Sequence, residues 1–317
     1  MTGDTERDFI GYGVAPPHPR WPGGARLALN FVVNVEEGAE RSILDGDEAA
    51  ETILSDLAPA SAPPGRRDPL IESLYEYGAR VGIWRVLEAF RARAIIPTVY
   101  AAGLALERNP AVAEAIAAMG CDVVGHGWLW IDYCQLGEDE ERTHMARTIA
   151  TVTRLTGNRP LGWYAGRPGP NTRRLVVEEG GFLYDSDAYN DELPYWITLG
   201  GMSHLVIPHS LDLNDSRFAR GQGLELGAHF FSYLKDAFDC LYAEGARTPR
   251  LMTVSLHPRL IGRPGRIAGL ARFLDYARSR ARVWICRREE IARHWQHEFS
   301  PGRAPVRGAV GVDSTKG

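Results

Sequence analysis

Paired cysteines are missing from this chain. Its four cysteines, Cys121, Cys134, Cys240 and Cys286, form no C-x-x-C pair and no cysteine–histidine cluster of zinc-finger spacing. That leaves no basis for a disulfide framework or a structural zinc site. Cys121, Cys240 and Cys286 lie in apolar runs and read as buried free thiols, and Cys134 lies in a loop. A basic surplus is missing too. The 36 Lys and Arg stand against 40 Asp and Glu, a net charge of −4 with no footprint for nucleic acid. No apolar run approaches the ~18 residues of a membrane span, and the polar opening MTGDTERDFI carries no signal core. The expectation is a reduced, cytoplasmic protein with no membrane and no nucleic-acid partner. No G-x-G-x-x-G or G-x-x-x-x-G-K-[ST] follows the first strand, so dinucleotide and P-loop chemistry lack support.

What is present is alternation. The chain has 317 residues, 44% of them hydrophobic, enough for a sizeable core without staples. Apolar runs at 26–33, 95–100, 121–125, 161–164, 182–187, 205–212, 251–256 and 281–287 read as strands. Helical spacing fills the stretches between them, at 80–93, 110–120, 138–157, 171–181, 229–245, 266–280 and 288–296. Pro97 puts a flaw in the second strand. Asn109 is the expected N-cap of the helix that Pro110 opens and Gly120 closes. About seven strand-then-helix units without a midpoint break predict an α/β fold, an irregular (β/α) barrel of about seven strands. One domain is expected over 1–297, with an N-terminal extension, long irregular stretches at 1–25 and 46–70, and a disordered tail over 298–317.

In parallel α/β barrels the chemistry sits where strands end. Here the first strand runs into Asn34-Val35-Glu36-Glu37-Gly38 and the third into His126-Gly127-Trp128-Leu129-Trp130. The strand at 161–164 runs into Gly166-Arg167-Pro168, that at 205–212 into Asn214-Asp215, and that at 251–256 into His257-Pro258-Arg259. Each has a structural alternative: an exposed acid pair, a capping histidine, rim aromatics, a surface arginine. The conjunction argues otherwise, because these groups fall at the same end of different strands, and adjacent acids such as Glu36 and Glu37 need a partner.

This set resembles the polysaccharide deacetylase superfamily, with its Asp-Asp-Gly, His-x-x-x-His, Arg-Pro and Leu-His motifs. The corresponding stretches are Glu36-Glu37-Gly38, His126 to Trp130, Arg167-Pro168 and Leu256-His257. The resemblance implies an irregular (β/α) barrel. In its usual members the first acid is the general base, and the second binds a metal with both histidines. Here both acids are Glu, and Trp130, which cannot ligate, replaces the second histidine. Glu37 and His126 alone are too few for a catalytic zinc, which takes three protein ligands; a third ligand such as His257 is unsupported. Over roughly residues 8–296 the chain is similar to one branch, the metal-independent allantoinases, through strings such as NVEEGAE, GHGWLWIDY, LTGNRPLGWYAGR and GGFLYDSDAYNDELPYW. Pro168-Gly169 and Pro258 depart from the branch and flank the expected pocket.

The resemblance implies hydrolysis of a cyclic amide, allantoin to allantoate, without a cofactor, and a homo-oligomer, a tetramer, for which helices rich in Trp and Tyr near 71–90 offer apolar surface. The expected catalytic groups are Glu36 as base, Glu37 tuning it, His126 as acid or oxyanion donor, and His257 as acid for the leaving nitrogen. The expected substrate-binding groups are Asn34, Arg167 in place of part of the metal, Trp128 and Trp130 as walls, and Asn214 and Asp215 on ureide N–H groups. Three alternatives remain: a zinc-dependent amidase or sugar N-deacetylase on the same fold, a hydrolase of another cyclic ureide or imide, and a catalytically dead binding protein.

Overall fold

The computed structural model describes residues 7–57, 62–219 and 223–301. Strand β1 (Leu27–Val35) is buried along its whole length, as a strand covered on both faces must be. Its side chains alternate between two environments. Leu27, Leu29, Phe31, Val33 and Val35 join the largest apolar cluster, shared with the surrounding helices. Ala28 and Val32 join a second cluster with Tyr100, Tyr164, Ile207 and Leu251. Asn30 and Asn34 fall on that same face by the period of two.

The remaining strands are β2 (Thr98–Ala101), β3 (Asp122–Gly125), β4 (Gly162–Trp163), β5 (Tyr184–Asp185), β6 (Tyr195–Leu199), β7 (Met202–Val206), β8 (Arg250–Leu256) and β9 (Val283–Ile285). Among the described residues they form one sheet in the order β6-β7-β5-β4-β3-β2-β1-β8, with β9 also on β1. One edge of β1 is shared: β9 takes Leu27–Leu29 and β2 takes Val32–Val35. All pairs are parallel except the β6–β7 hairpin. The expected irregular barrel therefore forms, with seven parallel strands from β7 round to β8. Among the described residues no strand pair closes it. Irregular chain fills the seam, through the bridge Asn214–Ser255 and the Ser255 N–H donating to the Leu213 carbonyl at 3.0 Å.

The helices are α1 (Pro69–Tyr77), α2 (Ile83–Arg91), α3 (Gly103–Arg108), α4 (Pro110–Ala118), α5 (Glu138–Thr156), α6 (Thr172–Glu179), α7 (Gly227–Glu244), α8 (Pro258–Ile261), α9 (Pro264–Arg278) and α10 (Arg288–Glu298). Their ends follow capping chemistry. Asp68 accepts from Leu70 and Ile71 N–H ahead of Pro69, and Gly157 closes α5 at φ 78°. Asn109 departs from expectation: its amide makes no cap bond on α4 and donates instead to the Ala79 carbonyl at 3.3 Å. The thiol reading also needs correction. Cys286 is buried, but Cys121 is half-buried and Cys240 is exposed on α7, because apolar residues on a long helix need not all face the core.

The barrel interior is held by one charged side chain. Arg288, fully buried at the start of α10, donates to Ser186, Asn30, Thr253 and the carbonyls of Ile207 and Pro208. It thus ties β1, β8 and the segments after β5 and β7, and bridges the seam from inside. No helix among the described residues is long and apolar enough to cross a membrane. The tail expectation falls outside the described residues from 302 onward; before it, α10 runs to Glu298.

Candidate active site

Three parallel strands end at the same level and deliver the cluster. β1 runs into Glu36 and Glu37, β3 into His126, and β8 into His257 and then the short helix α8, which carries Arg259. Glu36, His126, His257 and Arg259 are 2%, 1%, 4% and 2% exposed. At such burial an unpaired charge costs several kcal/mol, so the partners matter.

Glu36 has donors around it. Its Oε1 lies 3.1 Å from His126 Nε2 and 3.5 Å from His257 Nε2. Its Oε2 lies 2.7 Å from Arg259 Nη2; that atom pair lacks good hydrogen-bond alignment and is an ion pair by distance. Arg259 also pairs with Glu37 through Nη1 at 3.3 Å and its backbone N–H at 3.1 Å, both to Oε1. Its Nε donates to the Leu54 carbonyl, and its guanidinium lies over Tyr75 and Trp130. One cation therefore spans both acids.

Each histidine is oriented from behind. The Tyr164 carbonyl meets His126 Nδ1 at 2.6 Å and can only accept, so Nδ1 carries a proton. Nε2 then faces Glu36 across 3.1 Å. Asp215 meets His257 Nδ1 at 2.6 Å and accepts from the His257 and Ile261 N–H groups at 2.8 and 3.1 Å. That fixes the His257 ring with Nε2 toward Glu36.

These contacts split the ionisations. Burial acts to raise the Glu36 pKa, but Arg259 and His257 outweigh it and hold it well below the ordinary value. Burial dominates for Glu37, with Arg259 opposing and Glu36 assisting, so its pKa is raised. Burial would lower His257, yet the charges of Glu36 and Asp215 push it up to about 9. The resting site thus holds an ionised Glu36, a more basic Glu37 and an imidazolium at His257.

Local sequence explains the close packing. Between α1 and α2 the helix widens over Gly78–Gly82. A methyl on Gly78 would overlap Glu37 Oε1, and one on Gly82 the Pro258 carbonyl. Glycine at both positions lets the acid and α8 lie against this wide turn.

The structure brings Glu36, Glu37, His126, His257, Asp215 and Trp130 together. Asn34 sits beside them, but its amide donates to Ser255 and the Leu256 carbonyl and so ties β1 to β8. Asn214 accepts from the Ser216 N–H as a cap. Arg167 lies over Trp130 and donates to the Trp130 carbonyl at 2.8 Å and Glu51 at 3.3 Å. Trp128 packs against Gly103 and under Arg147. Arg259 had no role assigned from sequence. Its signal was a cation two residues past the late histidine, but only α8 shows that it turns back onto Glu36 and Glu37.

The family pattern implies a metal on the second acid and two histidines. The residues here do not fit one. Trp130 stands at the second histidine position, and Arg259 already neutralises the acid pair. Two unit charges ~4 Å apart at an effective dielectric of ~20 repel by roughly 4 kcal/mol, and a divalent ion doubles this. Among the described residues no group of three or more His, Cys, Asp or Glu is placed to hold a metal.

A family model described as polysaccharide deacetylase matches residues 65–179. A Schizosaccharomyces pombe protein described as a "putative polysaccharide deacetylase" is 38% identical over 309 residues, 91% of this chain and 96% of that protein. A crystal structure described as a probable polysaccharide deacetylase from Pseudomonas aeruginosa matches with a TM-score of 0.90 and 55% identity, over 92% of this chain and 98% of that one. A crystal structure described as PuuE allantoinase matches equally, with a TM-score of 0.90, 55% identity, and 93% and 98% coverage.

Proposed function

The chain belongs to the polysaccharide deacetylase family, and on that premise we propose that it hydrolyses a C–N bond in a cyclic ureide, converting allantoin to allantoate without a metal. The observation that carries this reading is the Arg259 guanidinium spanning Glu36 and Glu37. A fixed cation there supplies charge for a developing oxyanion, as a metal would in the family's usual chemistry. The similarity to a protein described as an allantoinase supports the choice of substrate.

The residues divide the reaction between them. The substrate carbonyl draws donors of Arg259 away from Glu36, and the freed carboxylate becomes a stronger base. Glu36 takes a proton from water as the water oxygen bonds to the carbonyl carbon. Arg259 and His126 hold the oxyanion. The C–N bond then breaks, and His257 gives its Nε2 proton to the departing nitrogen. The proton on Glu36 returns to His257 across their 3.5 Å contact. Asp215 keeps the His257 ring aligned throughout. Trp130 and Tyr75 pack over Arg259 and exclude bulk water, which strengthens each of these charges.

The test is a substrate panel. Purified protein is incubated with allantoin and with N-acetylglucosamine oligomers, with and without added zinc. Ring opening of allantoin is expected, with no acetate release. Zinc-dependent acetate release without ring opening overturns the reading in favour of a sugar deacetylase.

A further inference from the structure

One buried titratable group has no part in this mechanism. His209 lies three residues past β7 and is 3% exposed. Its backbone N–H donates to the Ala188 carbonyl at 2.7 Å, but neither ring nitrogen meets a hydrogen-bond partner among the described residues. A buried imidazole with both nitrogens unmatched is destabilising, so its retention calls for a partner that arrives from outside the fold.

The surroundings say where that partner sits. The His209 ring centroid is 5.5 Å from Tyr100 and 4.8 Å from Tyr164. The same two rings flank His126, at 6.0 Å and, stacked, at 5.2 Å. The two histidines therefore share one aromatic wall. His209 also lines a cavity of about 580 Å³ with Tyr189, Pro208, Asp212, Leu251 and Thr253. That cavity is bounded by the segment after β7, by β8 and, through Ala237 and Leu241, by α7.

We propose that His209 is a substrate-holding residue, whose ring offers one donor and one acceptor to an uncharged cyclic ureide held beside the aromatic wall it shares with His126. The assignment rests on the cyclic-amide reading and deepens it. Burial, together with the charges of Arg288, His257 and His126, pushes the His209 pKa well below its usual value. The ring stays neutral and carries a single N–H. A carboxylate-bearing ligand would ask it to protonate against those charges. A ligand with both a carbonyl and an N–H matches both nitrogens as they stand. Arg288 cannot take this role, since its guanidinium is engaged by five protein acceptors.

The experiment uses His209→Phe, which keeps a ring against the tyrosines and removes both nitrogens, and His209→Gln, which keeps a donor and an acceptor. Calorimetry reads hydantoin binding, steady-state kinetics read allantoin opening, and thermal melts report folding. For His209→Phe, the Kd for hydantoin and the KM for allantoin rise about 10- to 100-fold, kcat changes less, and the melting temperature holds or rises. His209→Gln recovers part of the affinity. In histidine-15N-labelled wild-type protein, hydantoin shifts the ring-nitrogen signals absent from the His209→Gln spectrum. Unchanged Kd and KM in a folded His209→Phe overturn the proposal, as do unmoved signals or a wild-type protein that binds neither probe. Binding that depends on His209 without ring opening upholds the proposal and sinks the hydrolase reading alone.

Discussion

Arg259→Met tests the idea that one guanidinium does the work of the family's metal. Methionine has similar length and fills the space over Tyr75 and Trp130. It leaves Glu36 and Glu37 side by side, buried and without their shared cation. Breaking a buried pair by removing one partner costs about 3–5 kcal/mol. At about 2 °C per kcal/mol for a chain of this size, the melting temperature falls by roughly 6–10 °C at neutral pH. The sign with pH follows from linkage. In the wild type Glu36 has a lowered folded pKa, so its contribution is present above the unfolded value and fades as pH falls through the folded one. Without Arg259 the folded pKa of Glu36 rises with that of Glu37, and the variant is penalised increasingly as pH rises. The gap to wild type is widest near pH 8 and narrows toward pH 5. A Glu36→Gln/Arg259→Met double variant, which removes the stranded charge, recovers more than half of the loss. Loss of the oxyanion partner lowers kcat about 10²–10³-fold. Melts by calorimetry at pH 5 and 8, with ring-opening rates, read all of this. A drop below about 2 °C that does not vary with pH refutes the shared-cation argument.

Other positions give independent checks. Glu36→Gln lowers kcat about 10²–10⁴-fold in a folded protein, and a loss below about threefold removes Glu36 as the base. The folded pKa of His257 is raised to about 9 from 6.5, so its ionic contribution to stability is complete below the unfolded value and is lost as pH rises through about 9. The pH–rate profile falls through the same alkaline range and stays flat down through ordinary carboxylate pKa values; a rate that climbs past pH 10 contradicts the acid role. Asp215→Asn frees the His257 ring and costs roughly 10²–10⁴-fold in kcat with little change in KM, as steady-state kinetics will show. Gly78→Ala displaces Glu37 from Arg259 and lowers both melting temperature and activity, whereas Gly265→Ala, with open space in α9, gains about 0.5–1 kcal/mol by denaturant titration.

The barrel was legible because its signal is local. β1 and β8 lie almost where their apolar runs predict, and Gly157 and Gly180 close α5 and α6 in the left-handed conformation. Pro97 proved to be a boundary, since β2 begins just after it at Thr98. The β6–β7 hairpin was missed, although Gly200-Gly201 between two apolar runs is its sequence mark. The helix α8 was missed because four residues carry no period. That short turn decides the site: it aims Arg259 at Glu36 and Glu37. Arg167, read from sequence as the metal's stand-in, is spent instead on the Trp130 carbonyl and Glu51. Trp128 and Trp130 also show the limit. Two residues apart, one packs against α3 and the other joins Arg259, and no pattern in the sequence separates them. His209 was invisible for another reason: a histidine without partners is recognised only once its neighbours are known.

The most direct measurement is the ring-opening rate of allantoin by protein stripped of metal with a chelator and verified by elemental analysis, run beside Glu36→Gln. The account predicts a wild-type rate unchanged by stripping and by zinc add-back, and near-complete loss in the variant. A rate that vanishes on stripping and returns with zinc contradicts it.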